Sequence, residues 1–349
     1  MKAERSRLLL GAAAALGLLA LFFRGMDWGA LGRALLGAHW LPLMGVVLVT
    51  VLLYALRAWR WGALLAPLGR VGMADLYSAT MVGFASGLLV PRAGEILRPW
   101  LISRRHPIPT SAGFATIILE RLIDLVTVLV LFALYLFVLP APTAQVTGPL
   151  MDTLKVGGAL TGAVALGILV FLLALHTNAE RVVGVIERLT ARGPRWIREP
   201  IARLLRSFSE GLAVLRAPLS HLALIAAQSF AIWLLIALAF YLNDIAFSID
   251  LPYHATFLLI VFLVVGVAIP TPGTVGGFHA FYLLCLTQAF GVAREPAAAA
   301  GIAAHALSNL PILVLGLALL GREGLSLSRV AEVTRSRSEA PGAPQEVHP

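Results

Sequence analysis

The sequence predicts an all-α polytopic membrane protein, with six full spans and two re-entrant helical hairpins forming an inverted-topology repeat. Three observations lead there. The 349 residues are 59% hydrophobic and only 13% charged, whereas soluble domains hold about a quarter charged residues, and mean hydropathy is +0.88. Apolar runs approaching or exceeding the roughly 20 residues that cross a bilayer recur along the chain. Two of them end in one shared pattern, G-x-x-x-P-x-x-G, at Gly87, Pro91, Gly94 and at Gly266, Pro270, Gly273. Proline removes a backbone donor and clashes with the preceding turn, and glycine accepts torsions other residues avoid, so each pattern breaks its helix.

Taken in order, the full spans fall at 8–23, 39–56, 113–139, 156–175, 219–242 and 296–320. The first follows Lys2, Arg5 and Arg7 and has a signal-peptide outline, but no cleavage site ends it and more spans follow, so it reads as a retained helix. The runs 73–90 and 252–269 enter the broken patterns and return as hairpins, about 73–105 and 253–291. Lysine and arginine set the sidedness. Segments assigned to the cytoplasm carry 22 of them, and opposite-side connections only Arg24, Arg33, Lys155 and Arg294. That bias survives only if both broken segments dip in and return, one from each face. It also puts both termini in the cytoplasm, in a bacterial-type inner membrane.

The chain then reads as span, span, hairpin, span, followed by the same series inverted: residues 1–145 and 150–320. Aligning Gly113 with Gly301 sets Glu120 and Arg121 opposite Ser308 and Asn309. Within the second half, 180–216 alternates apolar residues and arginines at helical spacing and reads as cytoplasmic amphipathic helices at the interface. The polar tail 326–349 reads as disordered.

Several functions are excluded. One cysteine, Cys285, permits neither an intramolecular disulfide nor a cysteine metal cluster. The net charge of +9 flanks apolar segments, which points to topology and anionic lipid headgroups rather than nucleic acid. No P-loop is present, and no cofactor or metal is expected. His279 and His305 lack the company a metal site needs.

Charge inside an apolar run is the costliest feature. Glu120, Arg121 and Asp124 interrupt the span 113–139, where each charge costs about 2.5–3.5 kcal/mol on insertion scales. Either they form an ion cluster that locks helices together, or they line a substrate or proton pathway. Hairpin one adds Arg92, Glu95 and Arg98. Arginine's planar fork of donors suits phosphate. Arg57 and Arg60 stand among Tyr54, Trp59 and Trp61, an arginine–aromatic belt whose first reading is anchoring, with phosphate contact second. Hairpin two, with Pro270, Pro272, Gly273, Gly276 and Gly277, has no fixed charge and suits close backbone approach or a gate.

The runs Leu89–Glu95 with Arg98, Glu120-Arg121-x-x-Asp124, and Pro270–Gly273 with Gly276 and Gly277 resemble the lysylphosphatidylglycerol synthase transmembrane family, over about residues 5–320. This is the flippase-like membrane half of multiple peptide resistance factor proteins. The resemblance implies a lipid translocase that is not itself an enzyme. Its substrate would be a phosphate-bearing or aminoacylated lipid, held by the arginines of hairpin one and the charged span. It also implies a separately encoded lipid-synthesising enzyme as partner, and leaves the lipid and the oligomeric state open. A membrane-embedded lipid transferase and a small-solute or ion carrier remain as alternatives.

Overall fold

The computed structural model describes residues 2–90, 93–139, 212–269 and 271–326, with shorter pieces of 156–188 and 328–333. Pro91, Arg92, 140–155 and Pro270, part of 156–175, and most of 180–216 and of the tail 326–349 lie outside the described residues. Ten helices account for most of the rest: α1 Lys2–Phe23, α2 Trp28–Leu36, α3 Trp40–Leu65, α4 Met73–Leu89, α5 Ala93–Ser103, α6 Thr110–Phe137, α7 Leu219–Ala246, α8 Ala255–Ala268, α9 Gly277–Leu284 and α10 Arg294–Arg322.

Three of these, α3, α7 and α10, are long and apolar enough to cross a membrane. A fourth crossing is present if the bent pair α1–α2 counts as one. At 28 residues α6 is as long as they are, but carries the three mid-helix charges. The protein is therefore an all-α polytopic membrane protein. The end of α1 departs from a simple span. The chain turns by 90° into α2, with Gly25 at φ +69° and the Asp27 carboxylate accepting the Ala30 N–H at 3.0 Å as N-cap. Arg294 donates to the Phe22 and Arg24 carbonyls at 3.0 and 2.9 Å, satisfying acceptors that the end of α1 leaves open.

The fold divides into two compact units, and neither is one half of the sequence. The first gathers α1, α2, α3 up to Leu53, α6 from Thr127, α7 from Ala231, α8, α9 and α10 up to Val314. The second gathers α3 from Tyr54, α4, α5, α6 up to Val126, α7 up to Phe230 and α10 from Leu315. The four helices of 26–29 residues contribute to both units, whereas the broken pairs α4–α5 and α8–α9 each stay within one.

Each broken pair folds back on glycine. In the second unit a methyl group at Gly94 would sit 2.5 Å from the Gly83 carbonyl oxygen, so α4 and α5 cross with no room for a side chain. Gly87, the first glycine of the shared sequence pattern, is looser, with the Gly94 nitrogen 3.6 Å from a methyl placed there. In the first unit a methyl at Gly266 would sit 2.7 Å from the Gly277 carbonyl oxygen. Between α8 and α9 the chain turns through Gly273 at φ +59° and Gly276 at φ +90°, torsions that glycine adopts without steric cost. Pro272 opens the short turn that holds Gly273. The crossing glycines are thus Gly83 with Gly94 and Gly266 with Gly277, both eleven residues apart.

Candidate functional site

The charges of α6 gather partners from across the second unit. Arg98, on α5, passes its stem over Gly83, where any side chain would collide with it. Its two terminal nitrogens then donate to the two Glu120 carboxylate oxygens at 3.0 and 3.1 Å, a bidentate pair. Arg60, from α3, donates to Asp124 at 2.6 Å and to the Ser229 hydroxyl on α7 at 2.9 Å, and approaches Glu120 at 3.7 Å. Arg121 donates to Glu120 at 2.7 Å and lies 3.7 Å from Asp124. Glu120 and Arg60 are fully buried, and Asp124 and Arg98 nearly so. The Arg121 side chain remains 44% exposed.

Aromatic rings frame this centre. Arg98 lies 4.4 Å from the Trp61 ring, and Trp61 in turn donates to Thr116 at 3.1 Å. Phe84 of α4 is faced by three guanidinium groups, those of Arg57, Arg98 and Arg121, at 5.1, 5.4 and 5.9 Å. Such contacts attract through the ring quadrupole. Three arginines thus meet two buried carboxylates, and a fourth, Arg57, faces the same Phe84 ring. The excess is positive, and the centre suits an anion or the anionic part of a larger ligand.

Of the residues singled out from the sequence, the centre unites Arg98, Glu120, Arg121 and Asp124, and Arg60 joins them. Glu95 is exposed on α5, within electrostatic reach of Arg121. Ser308 and Asn309 belong to the first unit, where Asn309 donates to the His305 carbonyl within its own helix. Anchoring was the first reading for Arg60; in the fold its guanidinium is fully buried between Asp124 and Ser229. Gly83, Ser229 and Thr116 went unnoticed in the sequence, where only the spacing of Gly83 ahead of Gly87 hinted at a role.

The first unit holds a second polar centre without charge pairs among its described residues. Asn243 of α7 donates to the Tyr282 hydroxyl and to the Ala300 carbonyl, both at 3.0 Å, and Tyr282 donates to Asp244 at 2.5 Å. His305 meets the Gly273 carbonyl at 2.9 Å, pinning the turn before α9, and its ring centre lies 4.7 Å from that of His279.

At the foot of α4 and α5, Arg105 bridges Asp75 and Glu323 at 2.6 and 2.9 Å, and His106 reaches Asp75 at 2.9 Å. The hydrogen bond from His106 is the largest influence on the Asp75 carboxyl; burial opposes it, and the hydrogen bond and charge of Arg105 join it to hold the group below the usual carboxylate range. A cavity of about 130 Å³ opens there beside Leu101, Arg104 and Arg322.

A family model described as the lysylphosphatidylglycerol synthase TM region matches residues 8–316. The chain belongs to this family. The match is to the flippase-like membrane region of the lysylphosphatidylglycerol synthases, as distinct from the catalytic synthase domain, and α6 lies within it. The glycosyltransferase AglD of Haloferax volcanii is 25% identical over 315 residues, 81% of this chain and 49% of that protein. The chain thus spans about half the length of the curated relative it matches.

Proposed function

We propose that this protein translocates a phosphate-bearing or aminoacylated lipid between leaflets, the headgroup being held by Arg92, Arg98 and Arg121 and balanced by Glu95, Glu120 and Asp124. One observation supports this above the others: a buried centre with more arginines than carboxylates, in which Arg121 keeps an exposed guanidinium next to its paired neighbours. A cluster serving only to lock helices would gain nothing from surplus cations, because pairing offsets desolvation only in part. Six spans and two re-entrant hairpins, repeated as 1–145 and 150–320 with both termini cytoplasmic, remain the proposed arrangement. It is supported by two likenesses. Both broken pairs cross on glycines eleven residues apart. The residue five beyond the second glycine, Pro99 or Tyr282, then presses on Gly113 or Gly301 of the next long helix, with a methyl there 2.8 or 3.2 Å from its neighbour. Opposed movement of such repeats would expose the headgroup site to each side in turn, the acyl chains staying in the bilayer.

The test uses purified protein in liposomes carrying fluorescent phospholipid. Wild type should exchange lipid between leaflets. Arg121→Ala should exchange far less while remaining monodisperse. Arg121→Lys keeps the charge and loses the fork, so a bidentate phosphate contact predicts substantial loss there too. Unchanged exchange in Arg121→Ala rejects the headgroup role. A second reading, a membrane-embedded lipid transferase, is favoured only by the name of the AglD relative; a new lipid product in the same vesicles would establish it.

A further inference from the structure

Arg57 stands apart from the other arginines of the second unit. It lies on α3 one turn before Arg60, is only 8% exposed, and is walled by Tyr54 and Phe84, whose ring centres lie 5.7 and 5.1 Å from its guanidinium carbon. Its Nε and Nη1 have no hydrogen-bond partner. Glu120 accepts from Arg98 and Arg121, and Asp124 from Arg60; Asp124 attracts Arg57 electrostatically but takes no hydrogen bond from its Nε or Nη1. Arg57 enters none of the ion pairs among the described residues. The aromatic faces attract the cation but accept no hydrogen bond from these two nitrogens. Taking a guanidinium out of water without an acceptor is costly, and buried cations are normally paired.

We infer that Arg57 is the phosphate-binding residue of this membrane region: its buried, uncommitted donors are completed by an anionic phosphate group, carried by a membrane lipid or supplied free from solution. This rests on the lipid-translocase reading for its biological sense and deepens it, since it moves the anion contact from Arg98, whose fork is filled by Glu120, to a residue whose fork is open. Phe84 links the two ideas. The same ring faces Arg57 and the half-exposed Arg121, so an anion beside Phe84 is placed to meet both.

Delipidated protein in detergent provides the test, read as the melting temperature before and after adding phosphatidylglycerol, diacylglycerol or inorganic phosphate. A ligand that binds only the folded state raises that temperature. Phosphatidylglycerol should raise it by several degrees in wild type and not in Arg57→Met, while diacylglycerol, which lacks the phosphate, should raise neither. Arg57→Lys should retain part of the shift. Without lipid, Arg57→Met should melt no lower than wild type, because it removes a cation that has no partner. An equal shift in wild type and Arg57→Met overturns the inference, as does a large drop in lipid-free stability, which would mark Arg57 as structural. Inorganic phosphate that reproduces the shift and blocks further response to phosphatidylglycerol supports a free anion; phosphate without effect supports a lipid headgroup. Leaflet exchange separates the two proposals. Exchange that persists in Arg57→Met overturns this one alone. No exchange in wild type, with the Arg57-dependent shift intact, overturns the translocase alone.

Discussion

The two polar centres are built on the same scaffold and filled with opposite chemistry. In each, a broken pair of helices crosses on two glycines, and a following residue packs on a glycine of the next long helix. One centre is then occupied by Arg60, Arg98, Glu120, Arg121 and Asp124. The other is occupied by Asn243, Asp244 and Tyr282, joined by hydrogen bonds. The backbone requirement and the chemical one are therefore separable. Glycine spacing makes a close helix crossing, and whatever side chains surround it decide whether charge is admitted.

The comparison breaks most readily at Glu120. Glu120→Gln removes the charge that Arg98, Arg121 and Arg60 share, and leaving buried cations uncompensated costs about 3–5 kcal/mol. Thermal melting in detergent should show a large drop or loss of the folded peak. A small change would mean that water or lipid already solvates those arginines.

The shared scaffold is probed by Gly94→Ala and Gly277→Ala. Each drives a methyl into a backbone carbonyl of the facing helix, and overpacking of this kind typically costs ~1–3 kcal/mol. Similar losses in the two variants would support one construction. A harmless substitution at either position would set the two crossings apart.

Asp244→Asn sharpens the contrast with Glu120→Gln, since both replace a buried acid by its amide. An amide oxygen still accepts from the Tyr282 hydroxyl, so only the difference between two hydrogen bonds is lost, about 1 kcal/mol or less. A loss as large as that of Glu120→Gln would show that Asp244 carries a charge matched by a cation.

The smallest effect belongs to the foot of hairpin one. Because the Asp75 carboxyl is held below its usual range by His106 and Arg105, its contribution is complete above the unfolded carboxylate pKa of about 4. It fades as pH falls through the lower folded value. Exposed pairs are worth about 0–1 kcal/mol. The melting difference between wild type and Asp75→Asn should therefore be small and constant from pH 7 to about pH 5, then close as acid is added. A difference that does not close in acid would rule out the Asp75 carboxyl as its source.

Much of this was legible in the sequence, and what was hidden has physical causes. Runs at α3, α7 and α10 announce themselves by length and hydropathy alone, and charges at 120–124 are conspicuous in an apolar stretch. Arg60 was obscured because its partner Asp124 lies 64 residues away, while its sequence neighbours Trp59 and Trp61 imitate an interfacial belt. Gly83 was masked by Gly87, which fits the repeated pattern better yet packs more loosely. Asp244 drew no notice in the sequence, and only its burial against Tyr282 sets it apart. Arg98 was found for its donors, but which acceptor fills them is a tertiary fact that spacing does not encode.

The Arg294 side chain closes the end of α1 across 270 residues of chain. A ribosome adding about 5–20 residues per second takes on the order of tens of seconds to supply it. Through that interval the carbonyls at the end of the first helix must be served by water, lipid headgroups or the insertion machinery. Helix α1 is thus made long before the residue that finishes it, and truncating nascent chains before and after residue 294 would date its completion.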